Sequence, residues 1–182
     1  MVVCSSSTSR LGGYKFGEGQ FVIARASGKI AGLAMADLIF IQEIAAPTQI
    51  VGAFFVPHRI GAWYGRELDL QFEVQGGAIE FRNGLKVRLN GRLGKREVSH
   101  TAVVTEFERG RVLEWQFQDA YGVRGLQRWE IEESGNGTRV RMRDRYEMPG
   151  RFGKFMDWLL TRHAVARRDR SELQRLKRLV EH

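Results

Sequence analysis

The last strand-like segment of the chain carries an acidic residue at a position where its pattern calls for an apolar one. In residues 138–148 one face consists of Val140, Met142, Asp144, Tyr146 and Met148, and arginines occupy the other face. A carboxylate among apolar neighbours is poorly hydrated, which raises its pKa and suits it to general acid or base chemistry. Tyr146 or Gln127 would then orient a carbonyl group of a substrate. The alternative is a structural role, in which Asp144 pairs with an arginine or with a helix-end amide near the sheet rim.

The other residue types argue against several kinds of site. The four histidines, at positions 58, 100, 163 and 182, form no close pair, and Cys4, the single cysteine, lies in the amino-terminal segment. A metal site therefore finds little support. No G-x-S-x-G motif is present, which argues against a hydrolase with a nucleophile elbow. We expect no metal and no cofactor.

Hydrophobic alternation predicts the strands that would position Asp144. Strands are predicted at residues 37–44, 67–75, 85–93, 97–107, 111–118, 121–133 and 138–148. In residues 67–75, for example, every second side chain is apolar, as expected of a half-buried strand. Short loops join the last six of these strands, so we expect consecutive antiparallel hairpins.

Two short helices and one long helix complete the predicted elements. Residues 47–55 have apolar side chains at helical spacing, and residues 58–65 fit a second short helix or turn. From Arg151 onward the apolar residues again follow a helical period, over about 30 residues or about 45 Å. His163 falls on the apolar stripe of this helix. The charged residues 167–172 are close enough along it to neutralise one another in part.

Residues 1–36 differ in composition from the rest of the chain. They are rich in serine and glycine without a usable period, which predicts a disordered or weakly packed arm. A single domain is predicted for residues 37–182. Met35 stands just before the first predicted strand, and one hypothesis is that it is the true start of the protein. The alternative is a genuine arm without a function.

Length and composition are typical of one soluble globular domain. The chain has 182 residues, of which 43% are hydrophobic, and can bury a core. No segment approaches the roughly 20 apolar residues that a membrane span needs. The apolar run at residues 31–47 is interrupted by Asp37 and Glu43 and lacks the flanks of a secretory signal. We therefore expect a cytoplasmic protein.

Basic residues are concentrated near the carboxyl end. Residues 139–182 carry a net charge of +7, whereas residues 1–138 carry +1. This imbalance can attract nucleic acid, anionic lipid or an acidic partner, and such binding weakens with salt. The alternative is a basic face that is simply solvated. The arginines of the last strand lack an aromatic stacking platform on their own face, which argues against nucleic acid as a partner.

Several motifs, taken in order, resemble the START and birch-pollen-allergen superfamily (SRPBCC), specifically its bacterial polyketide-cyclase/dehydrase-like members. They are IQEIAAPTQIVGAFF at the first strand and helix, Trp63 after the second helix, VVTEFERGRVLEWQF at a strand–turn–strand, and GNGTRVRMRDRYEMPGRFGKFMDWLL at the last hairpin and helix entry. The resemblance covers about residues 38–180. It implies an α+β helix-grip fold: a seven-stranded antiparallel sheet wrapped around a long carboxyl-terminal helix, with two short helices after the first strand.

The resemblance also implies an internal cavity for apolar or amphipathic molecules such as lipids, polyketides, quinones or sterols. By position, its lining would include Leu70, Phe72, Leu89, Trp115, Phe117, Gln127, Trp129, Met142, Tyr146, Phe155, Met156 and Leu159. For each apolar member of this set, plain core packing is the alternative.

Three functions compete at this point. The first is binding or carriage of a hydrophobic small molecule. The second is a cofactor-independent enzyme of the polyketide cyclase or dehydratase type, which would need paired titratable groups inside the cavity. The third is an interaction module that uses the basic carboxyl-terminal surface on the ribosome, RNA or a membrane. The fold alone does not choose among them.

Overall fold

In the computed structural model, the described residues (13–15, 20–26, 34–93, 96–119, 122–148 and 162–182) form one antiparallel sheet of nine strands and three α-helices. The strands are β1 (Gly13–Lys15), β2 (Gln20–Ala26), β3 (Ala34–Ile44), β4 (Gln71–Val74), β5 (Lys86–Leu93), β6 (Arg96–Glu108), β7 (Val112–Asp119), β8 (Arg124–Ser134) and β9 (Gly137–Met148). The helices are α1 (Thr48–Gly52), α2 (Pro57–Ile60) and α3 (Arg162–Glu181). The strand order is β1-β2-β3-β9-β8-β7-β6-β5-β4.

This architecture confirms the predicted α+β helix-grip fold. The seven predicted strands are β3 to β9, and the two short helices follow β3. Strands β4 to β9 form the expected meander. The last strand, β9, pairs with β3, the first of the seven predicted strands. The long helix is described from Arg162, so the part of the prediction at residues 149–161 lies outside the described residues.

The structure differs from the sequence-based expectation at the amino-terminal segment. Strands β1 and β2 both lie within residues 1–36, where the composition predicts a disordered or weakly packed arm and where no strand is predicted. Residues 20–26 read QFVIARA, a β-rich run within a Ser- and Gly-rich segment. Each residue of β2 has a register partner in β3, so this run extends the sheet beyond the seven predicted strands.

Strand β4 is shorter than predicted. The alternation over residues 67–75 is regular, yet only Gln71–Val74 is a strand, and a 3₁₀ turn spans Arg66–Leu68. Gly65 and Asp69 flank this turn with φ angles of 70° and 48°, in the left-handed region that interrupts a strand. The side-chain pattern could not reveal this interruption because it reports only which positions are apolar.

An aromatic cluster fills the inner side of the sheet. Trp63, Trp115 and Trp129 are fully buried, and the rings of Trp115 and Trp129 meet edge-on with centroids 4.8 Å apart. Trp63 follows α2, and its indole N–H donates to the carbonyl of Phe54 at 3.1 Å. Edge-on pairs of this kind add about 0.5–1.5 kcal/mol beyond the area they bury. The cluster fixes the two short helices on the sheet.

Helix α3 lies across the inner side of the sheet and packs on β3. Leu173 and Leu176 are buried, and the Lys177 ammonium donates to the carbonyl of Glu43 at 3.0 Å. His163 and Leu179, which the sequence pattern placed on the apolar stripe, are instead exposed, because the buried stripe of α3 is narrower than the apolar sequence pattern. Among the described helices, none is long and apolar enough to cross a membrane.

The arginines of β9 form cross-strand ion pairs on the outer face of the sheet. Asp37 on β3 accepts from Nε and Nη2 of Arg143 at 2.9 and 2.6 Å and lies 3.9 Å from Nε of Arg145. Arg139 pairs with Glu43 at 2.7 Å. Arg141 also pairs, with Glu130 of β8 at 3.5 Å. Because each of these four arginines has an acidic partner, the row offers less unpaired charge to a polyanion than the sequence suggested.

Asp37 is more deeply buried than Glu43, so we expect its ion pair to contribute more to the free energy of unfolding than the exposed pair of Glu43 with Arg139. We expect Asp37→Asn to lower the free energy of unfolding by about 1–2 kcal/mol, since Arg143 would lose its carboxylate partner. Glu43→Gln, which breaks the exposed pair with Arg139, should cost less than about 1 kcal/mol. Urea unfolding of both variants at pH 7 measures the two values. Equal losses would contradict the assignment of the stronger pair to Asp37.

Candidate functional site

Helix α3 turns a basic and two acidic residues toward the sheet. Asp169 and Glu172 are buried on the same stripe as Leu173 and Leu176, as residues three, four and seven positions apart must be. Arg168 stands beside them with 23% of its side chain exposed. The predicted partial neutralisation along the helix is present, because Arg168 pairs with Asp169 and lies 3.9 Å from Glu172, and Arg168 has a further partner, Asp144, in the sheet.

The sheet contributes a row of polar side chains at matching register. Trp115, Gln127 and Asp144 are direct neighbours across β7, β8 and β9, so all three point to the inner face. The Gln127 amide donates to Asp144 Oδ2 at 3.1 Å and accepts at Oε1 from the Trp115 indole at 3.1 Å. The Tyr64 hydroxyl donates to the same Oε1 at 2.5 Å. Gln127 is thus held by partners on three sides.

Arg168 connects the helix to this row. Its Nη2 donates to Asp144 Oδ2 at 3.1 Å and to Asp169 Oδ1 at 2.7 Å, and its Nε donates to Asp169 Oδ1 at 2.9 Å. Glu172 accepts at Oε1 from the backbone N–H of Gly65 at 3.0 Å and lies 3.9 Å from Nε of Arg168. We call Asp144, Arg168, Asp169 and Glu172 the buried acid cluster.

Burial controls the protonation of the cluster. It raises the pKa of Asp144 well above its usual value, and the neighbouring Asp169 raises it further. The pKa of Asp169 is raised by burial but opposed by Arg168. Asp144 Oδ1 and Asp169 Oδ2 are both buried without a hydrogen-bond partner among the described residues. Burial also raises the pKa of Glu172 to about 8, against the opposing effect of Arg168.

These shifts reduce the negative charge of the interior. Arg168 lies in an ion pair with Asp169, and burial raises the pKa of Asp144, Asp169 and Glu172, which favours their neutral forms. This arrangement agrees with the high cost of an uncompensated charge in a protein interior. A proton on one of these carboxyls supplies a donor among groups that otherwise only accept hydrogen bonds.

A small cavity adjoins the cluster, between α3, strands β5 to β8 and the segment that precedes β4. Its volume is about 30 Å³, enough for one water-sized group. The lining consists of Tyr64, Leu68, Leu70, Leu89, His100, Trp115, Phe117, Gln127, Arg168 and Glu172. One side of the cavity is therefore apolar and aromatic, and the other carries the guanidinium and a carboxyl of the cluster.

Comparison with known proteins identifies the family. A model of the family described as polyketide cyclase / dehydrase and lipid transport matches residues 43–181. The chain belongs to this family. No curated protein matches the chain in sequence.

Solved structures of this family's fold are similar to the chain at low identity. A Rhizobium leguminosarum protein is 14% identical with a TM-score of 0.64, over 84% of this chain and 99% of its own. Ara h 8.0201 is 8% identical with a TM-score of 0.59, over 80% of this chain and 97% of its own. DynU16, a protein of the dynemicin biosynthetic locus, is 17% identical with a TM-score of 0.54, over 80% of this chain and 47% of its own. These likenesses show the shared fold.

Part of the set that the family resemblance predicted as cavity lining does meet at the cavity. Leu70, Leu89, Trp115, Phe117 and Gln127 are there. Trp129 and Met142 belong to the fully buried core, Phe72 packs on the Tyr64 ring at 5.7 Å, and Tyr146 is buried farther along β9. Phe155, Met156 and Leu159 lie outside the described residues. Asp144 lies behind Gln127, bonded to it and to Arg168, as the structural alternative for this residue foresaw.

The sequence analysis missed the groups that give the cavity its polar side. Tyr64 lies in a loop after α2, and only tertiary packing brings it to Gln127. Glu172 carried a detectable signal, because it shares a helical stripe with Leu173 and Leu176. Within the described residues, no group of three or more His, Cys, Asp or Glu side chains could hold a metal ion.

The raised pKa of Glu172 predicts a specific pH dependence of stability. Its folded-state pKa of about 8 exceeds the ordinary value of 4.5, so its protonation stabilises the fold fully below pH 4.5, and this contribution is lost as the pH rises to about 8. Glu172→Gln keeps the acceptor for Gly65 but cannot ionise. We expect the variant to gain stability relative to the wild type by up to about 1.4 kcal/mol per pH unit across this window.

Urea unfolding at half-unit steps from pH 4.5 to 8.5 measures this difference. Glu73→Gln is the matched control, because Glu73 is 61% exposed on β4, and this variant should follow the wild type throughout. If the free energies of unfolding of Glu172→Gln and the wild type differ by the same amount at every pH, the assignment of a raised pKa to Glu172 is contradicted.

Proposed function

We propose that the protein binds a small amphipathic molecule between α3 and the inner face of the sheet. The supporting observation is the two-sided lining of the cavity: Leu70, Leu89 and Phe117 on the apolar side, Arg168 and Glu172 on the polar side. Ligand sites combine mostly apolar walls with a few fixed polar groups, and this lining has that composition. The family description, which includes lipid transport, is consistent with it.

The volume of the cavity sets a condition on binding. About 30 Å³ accommodates one water-sized group, so the polar end of a ligand fits and its apolar body needs the wall to open. The segment that carries Leu68 and Leu70 is the part of the wall that we expect to move. It is joined through residues in left-handed backbone conformation, and a 3₁₀ turn replaces the strand there. A hydrophobic molecule of the lipid, polyketide or quinone type is the expected ligand.

A pair of arginine substitutions tests this location. Phe117→Arg puts a charge on the apolar wall of the cavity, whereas Thr101→Arg puts the same charge on the exposed face of the neighbouring strand β6. We expect Phe117→Arg to weaken binding at least tenfold and Thr101→Arg to leave it unchanged, since a buried unpaired charge is costly. Native mass spectrometry of the purified proteins detects a bound molecule, and 1-octanol titration by calorimetry measures affinity.

Circular dichroism shows whether both variants remain folded. Equal binding by the two variants, or no bound molecule and no octanol binding in the wild type, would contradict a ligand site at this cavity.

A second candidate is a cyclase-type enzyme that works by proton transfer. The observation that favours it is that Glu172 lines the cavity with a pKa of about 8, close to the pH at which a side chain exchanges protons efficiently. Its carboxylate would accept a proton from a carbon next to a carbonyl, and Arg168 would stabilise the negative charge that forms on the carbonyl oxygen. Asp144 would then act by positioning Arg168 without touching the substrate, while Gln127 would form part of the wall that the substrate contacts.

Deuterium exchange tests the second candidate. With 1-tetralone in D₂O, we expect the protein to accelerate exchange at the carbon next to the carbonyl, with a rate that rises with pH up to about 8, as Glu172 ionises. Glu172→Gln should lower the rate at least 100-fold, and the exposed Glu73→Gln should not change it. Proton NMR follows the exchange. A rate that is the same in the Glu172→Gln variant would remove Glu172 from this role.

A further inference from the structure

The buried acid cluster contains more acids than bases. Three carboxyl groups, those of Asp144, Asp169 and Glu172, surround the single guanidinium of Arg168, and all three are at least 98% buried. Full ionisation would leave two uncompensated negative charges in the interior, which is energetically prohibitive. The cluster must therefore hold protons or receive positive charge from elsewhere.

Glu172 is the carboxyl of the cluster that lines the cavity, beside Arg168. Its Oε1 is occupied by the backbone N–H of Gly65, but its Oε2 is buried and has no hydrogen-bond partner among the described residues. Asp144 Oδ1 and Asp169 Oδ2 are also buried without such a partner, but these two residues do not line the cavity. A buried carboxyl oxygen without a partner costs free energy that a ligand's donor group would recover.

The charge balance distinguishes between ligands. A cation that enters the cavity can replace the proton of Glu172, and the net charge of the interior does not change. A ligand carboxylate would instead add a negative charge, because Arg168 is already committed to Asp169 through both Nε and Nη2. Neutral replacement of a proton by a cation avoids the cost of burying a net charge.

The rest of the lining also suits a cation. Tyr64, Trp115 and Phe117 contribute aromatic rings, whose faces attract positive charge. Four titratable groups from other parts of the chain surround Glu172. They are Tyr64 and Glu67 before β4, His100 on β6 and Asp144 on β9. Burial lowers the pKa of His100, so this side chain adds no positive charge at neutral pH. Arg168 is the only cation among these groups in the described part of the chain.

We infer that the cavity selects an apolar amine, whose ammonium group binds Glu172 and displaces its proton to solvent. This inference rests on the proposed function, since it specifies the polar end of the same ligand. The O–H bond of the Glu172 carboxyl breaks, its proton passes to water or buffer, and the ammonium then donates a hydrogen bond to Oε2 of the carboxylate. An ammonium is about the size of the water-sized space that the cavity already provides.

Three probes with one chain length separate the alternatives: octylamine, 1-octanol and octanoate. Calorimetric titration at pH 7 in two buffers of different ionisation enthalpy gives both affinity and protons released. We expect octylamine to bind at least tenfold more tightly than octanoate, with about 0.9 proton released, because Glu172 is mostly protonated at this pH. At pH 9 the proton release should fall to about 0.1, because Glu172 is then mostly ionised before the ligand binds. Octylamine should therefore bind about tenfold more tightly at pH 9 than at pH 7.

The Glu172→Gln variant provides the decisive comparison. It should lose both the proton release and the preference for octylamine, while its affinity for 1-octanol stays within about threefold of the wild type. Glu73→Gln removes the same charge from the exposed surface of β4 and should behave as the wild type. Tightest binding of octanoate, or octylamine binding without proton release, would overturn the inference and leave the proposed function standing. Binding of none of the three probes would overturn both.

Discussion

The contact of Arg168 with Asp144 and Asp169 is the constraint on which the interior of this protein depends. It joins α3 to β9 at a point where the helix could otherwise be packed by apolar side chains alone. A guanidinium with two carboxyl partners is stable in such a place only when every further charge is neutralised by protons. The raised pKa values of Asp144 and Glu172 agree with that requirement.

The polar side of the cavity carries many hydrogen bonds. Gln127 is held by Tyr64, Trp115 and Asp144, and Glu172 is held by the backbone of Gly65. The opposite wall includes leucines on a segment that a 3₁₀ turn and left-handed residues interrupt. In the proposed function, the polar side orients the polar end of a ligand and the leucine segment makes room for its apolar end. Membership of a family described by both cyclase and transport functions agrees with such a division.

How far the sequence could predict this arrangement differs from residue to residue. The alternation of β9 was enough to place Asp144 inside and the arginines outside, because strand periodicity determines the face of every second residue. It could not show that Arg143 meets Asp37, since strand register is set by the pairing of segments about a hundred residues apart. The strand over residues 67–75 was predicted too long, because backbone conformation at Gly65 and Asp69, not side-chain polarity, ends the regular structure there.

The sequence by itself determined the order of strands β3 to β9 and of the helices, the inward faces of those strands and the presence of one acid on the inward face of β9. Periodicity and turn chemistry are local properties, so they can be recognised in the sequence without knowledge of the fold. Only the tertiary structure decided that Arg168, Asp169 and Glu172 of α3 meet Asp144 and Tyr64, and that the space beside them is water-sized. Those facts depend on how closely a helix packs on a sheet and on the desolvation that follows, and neither quantity can be read from the spacing of residues along the chain.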